Sequence, residues 1–413
     1  MPTSPLRIGL VCPYSLTIPG GVQAQVLGLA RVLRRMGHEA RVLGPCDGPP
    51  PTTYVTSLGK SIPTAANGSV APLAPDVSAS LRTMRALRDE DFDVLHLHEP
   101  LAPGPTMTAL LLDVTPSVGT FHAAGDSASY RYGRSPLRWL GDHLDARCVV
   151  SKDALELVAR YFGPGDYEML FNGVELDRFR QAEPTKIDRP TIFFCGRHEP
   201  RKGLSVLLAA LSELPADLRC WVASDGPETP ELAARYAGDP RIEWLGRISE
   251  EEKMSRLAGA SVFCAPSTHG ESFGVVLIEA MAAGTPIVST DLPGYLNVAT
   301  PGSDALMVPP SDPSALADAL RRVLTDDILA DELRRNGAAR AEHFSMETLA
   351  LRYVEIYRRV VARDRAERNA ERSPPSAIGR AARRMLNAAA TGASARHRTL
   401  WDGARRLLDT EAS

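Results

Sequence analysis

Two glutamates, Glu271 and Glu279, stand eight positions apart in GESFGVVLIEAM (270–281), with an apolar run between them. Gly270 permits a turn, and Ser272 can cap a helix that starts near Phe273 or Gly274. The first amides of such a helix, from Ser272 to Val275, have no intrahelical acceptor and sit at the positive end of the helix dipole, which suits an anion. Eight helical residues rise about 12 Å, the span from a sugar across a diphosphate to a ribose. A carboxylate suits each end of that span, because both ends present hydroxyl donors. Taken singly, Glu271 reads as a loop charge and Glu279 as a helix-surface charge. Their neighbours elsewhere in the chain point to a ligand.

In CGRHEPRKG, Arg197, Arg201 and Lys202 fall within six positions, ahead of another helical pattern. A guanidinium fork and a point-charge ammonium suit a pyrophosphate. Gly20 and Gly21, in PYSLTIPGGVQ, precede a third helical pattern and again offer free amides, although plain turn chemistry would explain them as well. Neither G-x-G-x-x-G nor G-x-x-x-x-G-K-[ST] occurs, which disfavours a nicotinamide dinucleotide and a P-loop. His122 closes GTFH at a strand end, a place where a lone histidine is more often structural. No D-x-D motif supplies an obvious metal site, so metal independence is expected.

These residues need elements to hold them. Short apolar runs alternate with helical patterns: RIGLVC, EARVLG, DVLHLH, PSVGTFH, RCVVS and YEMLFNG come first. After RQAEPTKIDRP (180–190) the pattern restarts with TIFFCGR, RCWVAS, RIEWLG, SVFCAPS, PIVST and ALMVPP. Such alternation implies parallel α/β sheets, and the restart implies two of them. The expected domains are residues 1–183 and 184–344, with a helix near 345–362 packing back on the first and a charged linker and tail over 363–413. Ligands of doubly wound domains bind beyond the carboxyl ends of the strands, so two sets of strand ends can face one cleft.

Composition agrees. The chain has 413 residues, 44% hydrophobic and 23% charged, which is globular and long enough for two cores. A net charge of −3 gives no basic excess for nucleic acid. The six cysteines form no C-x-x-C pair and several lie in apolar runs, so they read as reduced core residues of a cytoplasmic protein. No signal peptide is evident, since RIGLVC runs straight into Pro13. No apolar stretch approaches the ~20 residues of a membrane helix; any membrane contact would be from the side.

RIGLVCPYS with PGGVQ, FDVLHLHEP, GTFH, NGV (172–174), GR with PRKG, and FCAPS with GESFGVVLIEAMAAGTPIV together resemble the family-4 retaining glycosyltransferases, most of all the bacterial phosphatidylinositol α-mannosyltransferases. The resemblance spans roughly residues 6 to 362. It implies the GT-B fold, two Rossmann-like doubly wound domains facing a central cleft, and a sugar-nucleotide donor, GDP-mannose, on the second domain. Arg197 and Lys202 would neutralise the departing diphosphate, with Arg201 beside them. Glu271 and the amides of Ser272, Phe273, Gly274 and Val275 would hold hexose and phosphates, and Glu279 the ribose. Ile248, Ser249, Glu250 and Lys253 match the nucleoside-contacting stretch, Gly21 would approach the diphosphate from the first domain, and His122 would contact the hexose as the catalytic histidine. The implied course is front-face substitution with retention, since no carboxylate nucleophile of the glycosidase type is implied.

On the acceptor side Tyr14, Gln23 and Asn67 match. Ala66 and Pro72 replace a tyrosine and an arginine that flank NGSVA in the family, and Ala123 and Ser127 replace a threonine and a lysine. The expectation is therefore a hexosyltransferase acting on a lipid-linked or polyol acceptor with an altered headgroup site, peripheral on the cytoplasmic face of the membrane. Arg82, Arg85 and Arg88 form a thin basic helix face, and residues 373–413 read as an arginine-rich amphipathic tail carrying Trp401. A UDP- or ADP-sugar enzyme, a nucleotide-sugar epimerase and a non-catalytic nucleotide-sugar binder are the alternatives.

Overall fold

The computed structural model describes residues 4–66, 69–123, 134–163, 165–271 and 273–372. Asn67, Ser127, Ser272 and the 373–413 tail therefore lie outside the described residues.

Seven strands form the first sheet: β1 (Arg7–Val11), β2 (Glu39–Gly44), β3 (Val55–Ser57), β6 (Val94–His98), β7 (Ser117–Phe121), β8 (Ala146–Val149) and β9 (Tyr167–Met169). Their order is β3-β2-β1-β6-β7-β8-β9, and every pairing is parallel. Six strands form the second: β10 (Thr191–Cys195), β11 (Arg219–Ala223), β12 (Ile242–Gly246), β13 (Val262–Ala265), β14 (Ile287–Thr290) and β15 (Leu306–Val308). Their order is β12-β11-β10-β13-β14-β15, again parallel throughout. In each sheet the strand order reverses beside the first strand, which opens a crevice where β1 or β10 ends.

The central apolar runs become strands because both faces are covered, as parallel sheets require; the edge strands β9 and β12 are only partly buried. β6 is the exception in composition: VLHLH is buried at all five positions, so His96 and His98 lie in the core. Two pieces escape a sequence reading. β3 is only three residues long. β4 (Ile62–Ala66) and β5 (Ser69–Leu73) pair antiparallel, with Pro63 opposite Pro72; proline argues against a strand except at an edge.

Helix Met346–Arg372 returns to the first sheet. Met346, Ala350, Tyr353, Val354, Tyr357, Val360 and Val361 are buried in one cluster with Ile8 and Leu10 of β1 and with Val26, Leu29 and Leu33 of the first helix, Gly21–Arg35. Their spacing of three and four keeps one helical face on the core. The stretch from 363, expected as a linker, is a correction: it stays helical to Arg372. Its residues are mostly good helix formers, and Arg363 and Arg365 reach Asp145 at 3.5 Å and Asp93 at 2.9 Å on the first half. Val174, Leu176 and Phe179 pack with the second sheet's core, so side chains ahead of residue 184 already belong to it.

The chain passes between the halves twice, and the two passes pair. The Val174 amide donates to the Phe344 carbonyl at 2.8 Å, and the Met346 amide to the Val174 carbonyl at 2.9 Å. All six cysteines are free, five of them buried and Cys195 half-buried. Among the described residues no helix is long and apolar enough to cross a membrane.

Candidate active site

The carboxyl end of β10 leads through Gly196 to a short 3-10 turn, Pro200–Lys202. Gly203 then takes φ 69°, and a Cβ there would lie 1.9 Å from the Pro266 carbonyl oxygen. Only glycine lets the loop after β10 touch the loop after β13. That contact delivers Lys202 to Glu271: Nζ donates to Oε1 at 2.5 Å. Ser267 Oγ donates to the same oxygen at 2.8 Å and bonds Tyr295 Oη at 2.9 Å. Arg201 Nη1 stands 3.6 Å from Glu271, while its Nε donates to Glu199 at 2.9 Å. Arg197 pairs with Glu199 at 2.6 Å and is the most exposed of the three cations. The Glu271 backbone is pinned from behind, since a Cβ on Gly294 would lie 2.0 Å from its carbonyl oxygen.

The helix beyond Glu271 runs Val275–Ala282, and Gly274, at φ 84°, is its N-cap with no side-chain cap. The helix therefore starts later than the expected Phe273 or Gly274. A Cβ on Gly274 would meet the Tyr295 ring at 2.6 Å, so this left-handed residue sets the start. Val275 keeps the expected place at the first turn. Phe273 turns inward: it is buried and its ring lies 5.6 Å from Phe171 and 5.7 Å from Phe344. Only its backbone is left for a ligand.

Glu279 lies one turn into this helix, so only part of the stretch between the two glutamates is helical, and not all eight residues as expected. It takes Lys253 Nζ at 2.9 Å; Lys253 also reaches Glu250 at 3.0 Å. Burial alone would lower the Lys253 ammonium, but Glu279 and Glu250 outweigh it and hold it above its ordinary value. Ser249 caps the helix Glu250–Gly259 by accepting from the Glu252 amide at 3.1 Å. Ile248 packs on the second core. The stretch expected to contact the nucleoside is thus also a helix start.

In the first half, His122 follows β7. Its amide and that of Ala123 donate to the two carboxylate oxygens of Glu99, at 3.0 and 3.1 Å. Glu99 follows β6 directly, at φ 50°. Burial pushes its carboxyl up to about 7 against those two amides. His122 Nε2 lies 3.0 Å from His98 Nδ1, and burial pushes the His122 imidazole down to about 4, opposed by a hydrogen bond with Asn172. Gly20 caps the first helix without a side chain, and a Cβ on Gly21 would meet no protein atom within 4 Å, which leaves room for a ligand. Tyr14 bridges to Leu73 of β5, and its phenol is raised by burial and by the nearby Glu99. Gln23 is buried and donates to the carbonyls of Ser15 at 3.3 Å and Ile18 at 3.2 Å, so it shapes the loop ahead of Gly20. The ring contact between Phe171 and Phe273 joins the loop carrying Asn172 to the loop carrying Glu271.

Sequence reasoning did not find His98, Glu99, Asn172, Ser267 or Tyr295. Polar residues inside the apolar run of HLHE, and the NGV turn, were the available signals.

The first half, residues 19–178, matches the model of Glycosyltransferase Family 4, and residues 189–326 match that of Glycosyl transferases group 1. The phosphatidyl-myo-inositol mannosyltransferase of Mycobacterium leprae is 39% identical over 368 residues, covering 86% of this chain and 97% of that protein. The chain belongs to the family-4 glycosyltransferases. The protein of the same name from Mycolicibacterium smegmatis is 38% identical over 367 residues, 86% of this chain and 94% of the relative. Sucrose-phosphate synthase from Thermosynechococcus elongatus superposes with a TM-score of 0.68 at 22% identity, over 86% of this chain and 99% of that structure. The family-4 glycosyltransferase described here therefore has the GT-B fold.

Proposed function

We propose that the enzyme transfers mannose from GDP-mannose, with retention, to an acceptor of the phosphatidylinositol class. The observation that carries the donor half is the cluster of Lys202 and Arg201 on Glu271 beside a helix start whose cap no side chain fills. An incoming diphosphate would draw Lys202 and Arg197 onto its oxygens, and Glu271 would be freed to take hexose hydroxyls. The charge that builds on the leaving group is met by fixed cations and amides, the preorganised stabilisation that lowers such barriers most. Glu279 takes the ribose in the same exchange, with Lys253 beside it. The leaving phosphate helps deprotonate the acceptor on the same face, which retains configuration. Arg197, Arg201 and Lys202 supply the positive charge, so turnover should survive EDTA.

Support for mannose and inositol lipid comes from the names of relatives 38–39% identical along 86% of the chain. The positions matched to the headgroup site depart from the family at Ala66, Pro72, Ala123 and Ser127, so a modified headgroup is the second reading. The deciding experiment offers GDP-, UDP- and ADP-sugars with a panel of phosphatidylinositol, related lipids and polyols, and identifies products by mass and anomeric configuration by NMR. Mannosylated phosphatidylinositol in the α configuration supports the proposal. Transfer from another nucleotide alone, or an inverted product, overturns it. Membrane contact is tested by co-sedimentation with anionic liposomes of the full chain and of a chain ending at Arg372; equal sedimentation of the two removes the tail from the lipid reading.

A further inference from the structure

NGV (172–174) has no part in the donor and acceptor assignments above, yet its first residue touches the catalytic histidine. Behind His122 stands His98, 2% exposed, its ring 4.1 Å from His96 and 5.2 Å from His122. His98 Nδ1 lies 3.0 Å from His122 Nε2. His98 Nε2 is buried with no hydrogen-bond partner among the described residues. Buried N–H groups without an acceptor are rarer than bare acceptors. The His98 proton therefore belongs on Nδ1, where it donates to His122 Nε2. The partner made by one ring nitrogen decides the state of the other, so neutral His122 carries its proton on Nδ1. Asn172 hydrogen-bonds that ring; with Nε2 taken by His98, the bond falls on Nδ1–H, and its carboxamide oxygen is the acceptor.

Asn172 is itself held at the crossing. The next residue, Gly173, is clamped to the first helix: its amide donates to Gln25 Oε1 at 2.9 Å, and Gln25 Nε2 donates to its carbonyl at 2.7 Å. A Cβ on Gly173 would lie 2.9 Å from Met346 Cα on the other pass. Val174 then pairs with Phe344 and Met346. A displacement at the paired passes must move Asn172.

We infer that His98 and Asn172 are positioning residues for His122: together they fix its ring plane and its Nδ1–H tautomer, and Asn172 makes both depend on how the chain crosses between the two halves. The catalytic part of His122 rests on the function proposed above; the tautomer does not. Preorganisation of this kind removes a reorganisation step from the reaction.

The test uses the full chain labelled with 15N-histidine, with the His122 signals assigned through their loss in His122→Gln. Two-bond 15N–1H correlation should show the Nδ1–H form for His122. Asn172→Ala and His98→Leu should each give a mixture of tautomers. His98→Asn, which places an amide nitrogen where Nδ1 stood, should restore the single form and shows that the site still folds. With GDP-mannose, kcat of Asn172→Ala and His98→Leu should fall about tenfold to a hundredfold, with donor KM within about twofold. An Nε2–H form in the unsubstituted enzyme, or an unchanged tautomer in Asn172→Ala, overturns the inference. If the unsubstituted enzyme transfers nothing from any sugar nucleotide, the proposed function fails, and the tautomer measurement still decides this inference.

Discussion

Lys202 and Glu271 show what a single residue contributes here. They form an ion pair with side-chain exposures of 21% and 9%, and both are assigned to the donor. Lys202→Ala should lower kcat by about a hundredfold to a thousandfold, the usual loss when one preorganised stabiliser is removed. Arg197→Ala should lose less, because Arg197 is 45% exposed and water can replace part of it. Steady-state kinetics on the two variants check this, and equal losses would sink the ranking. His96 makes a different prediction. Both its ring nitrogens are bonded, to Tyr357 at 2.7 Å and Thr120 at 2.7 Å, and burial pushes its imidazole down to about 3. The unfolded chain takes up that proton below about 6.5, while the native state refuses it until about 3. The stability it contributes is present above the higher value and lost as pH falls toward the lower. Glu99, pushed up to about 7, acts with the opposite sign, but it is common to enzyme and variant. His96→Gln should therefore lose less stability than the unsubstituted enzyme between pH 7 and pH 4, as read by urea denaturation at each pH. Parallel declines would refute it. The two charged stretches that meet as this cluster were legible because each is a short local run. The histidine network was not, since His96 finds Tyr357 across 261 positions.

Elements meet the site through two loop contacts that only glycine permits. Gly203→Ala puts a methyl group against the Pro266 carbonyl in a backbone region that L-residues avoid. It should destabilise by at least about 2 kcal/mol and should also raise donor KM, because Lys202 directly precedes it. Thermal denaturation with and without nucleotide checks both, and an unchanged midpoint would refute the contact. The twelve runs were legible as strands because most are short apolar runs of the kind a parallel strand buried on both faces shows, the edge strands β9 and β12 being only partly buried. β4 and β5 were not, since each contains a proline and their partners are each other. The 275–282 helix is capped by Gly274 and not by the expected Ser272 for a related reason. Serine is the better cap by propensity, but the space beside Tyr295 decides, and Tyr295 is 21 positions downstream of Gly274.

At the scale of the molecule, the halves are joined by two paired passes and by the 346–372 helix. A chain ending at residue 345 should fail to fold its first half, because Tyr353, Tyr357, Val360 and Val361 complete the core around β1. Circular dichroism and solubility of that chain test it, and a native-like first half would overturn it. The restart of the strand pattern made the two halves visible in the sequence, and the amphipathic register made the returning helix visible. How far that helix runs was hidden, because its last turns are charged and are held by distant aspartates. That returning helix also sets an order of events during synthesis. The first sheet leaves the ribosome with β9 at Met169, but the helix that closes its core does not begin until Met346. At ~5–20 residues per second the wait is roughly 9–35 s. Through that interval the newborn amino-terminal half shows an open apolar flank, so chaperone capture should peak before the last helix emerges.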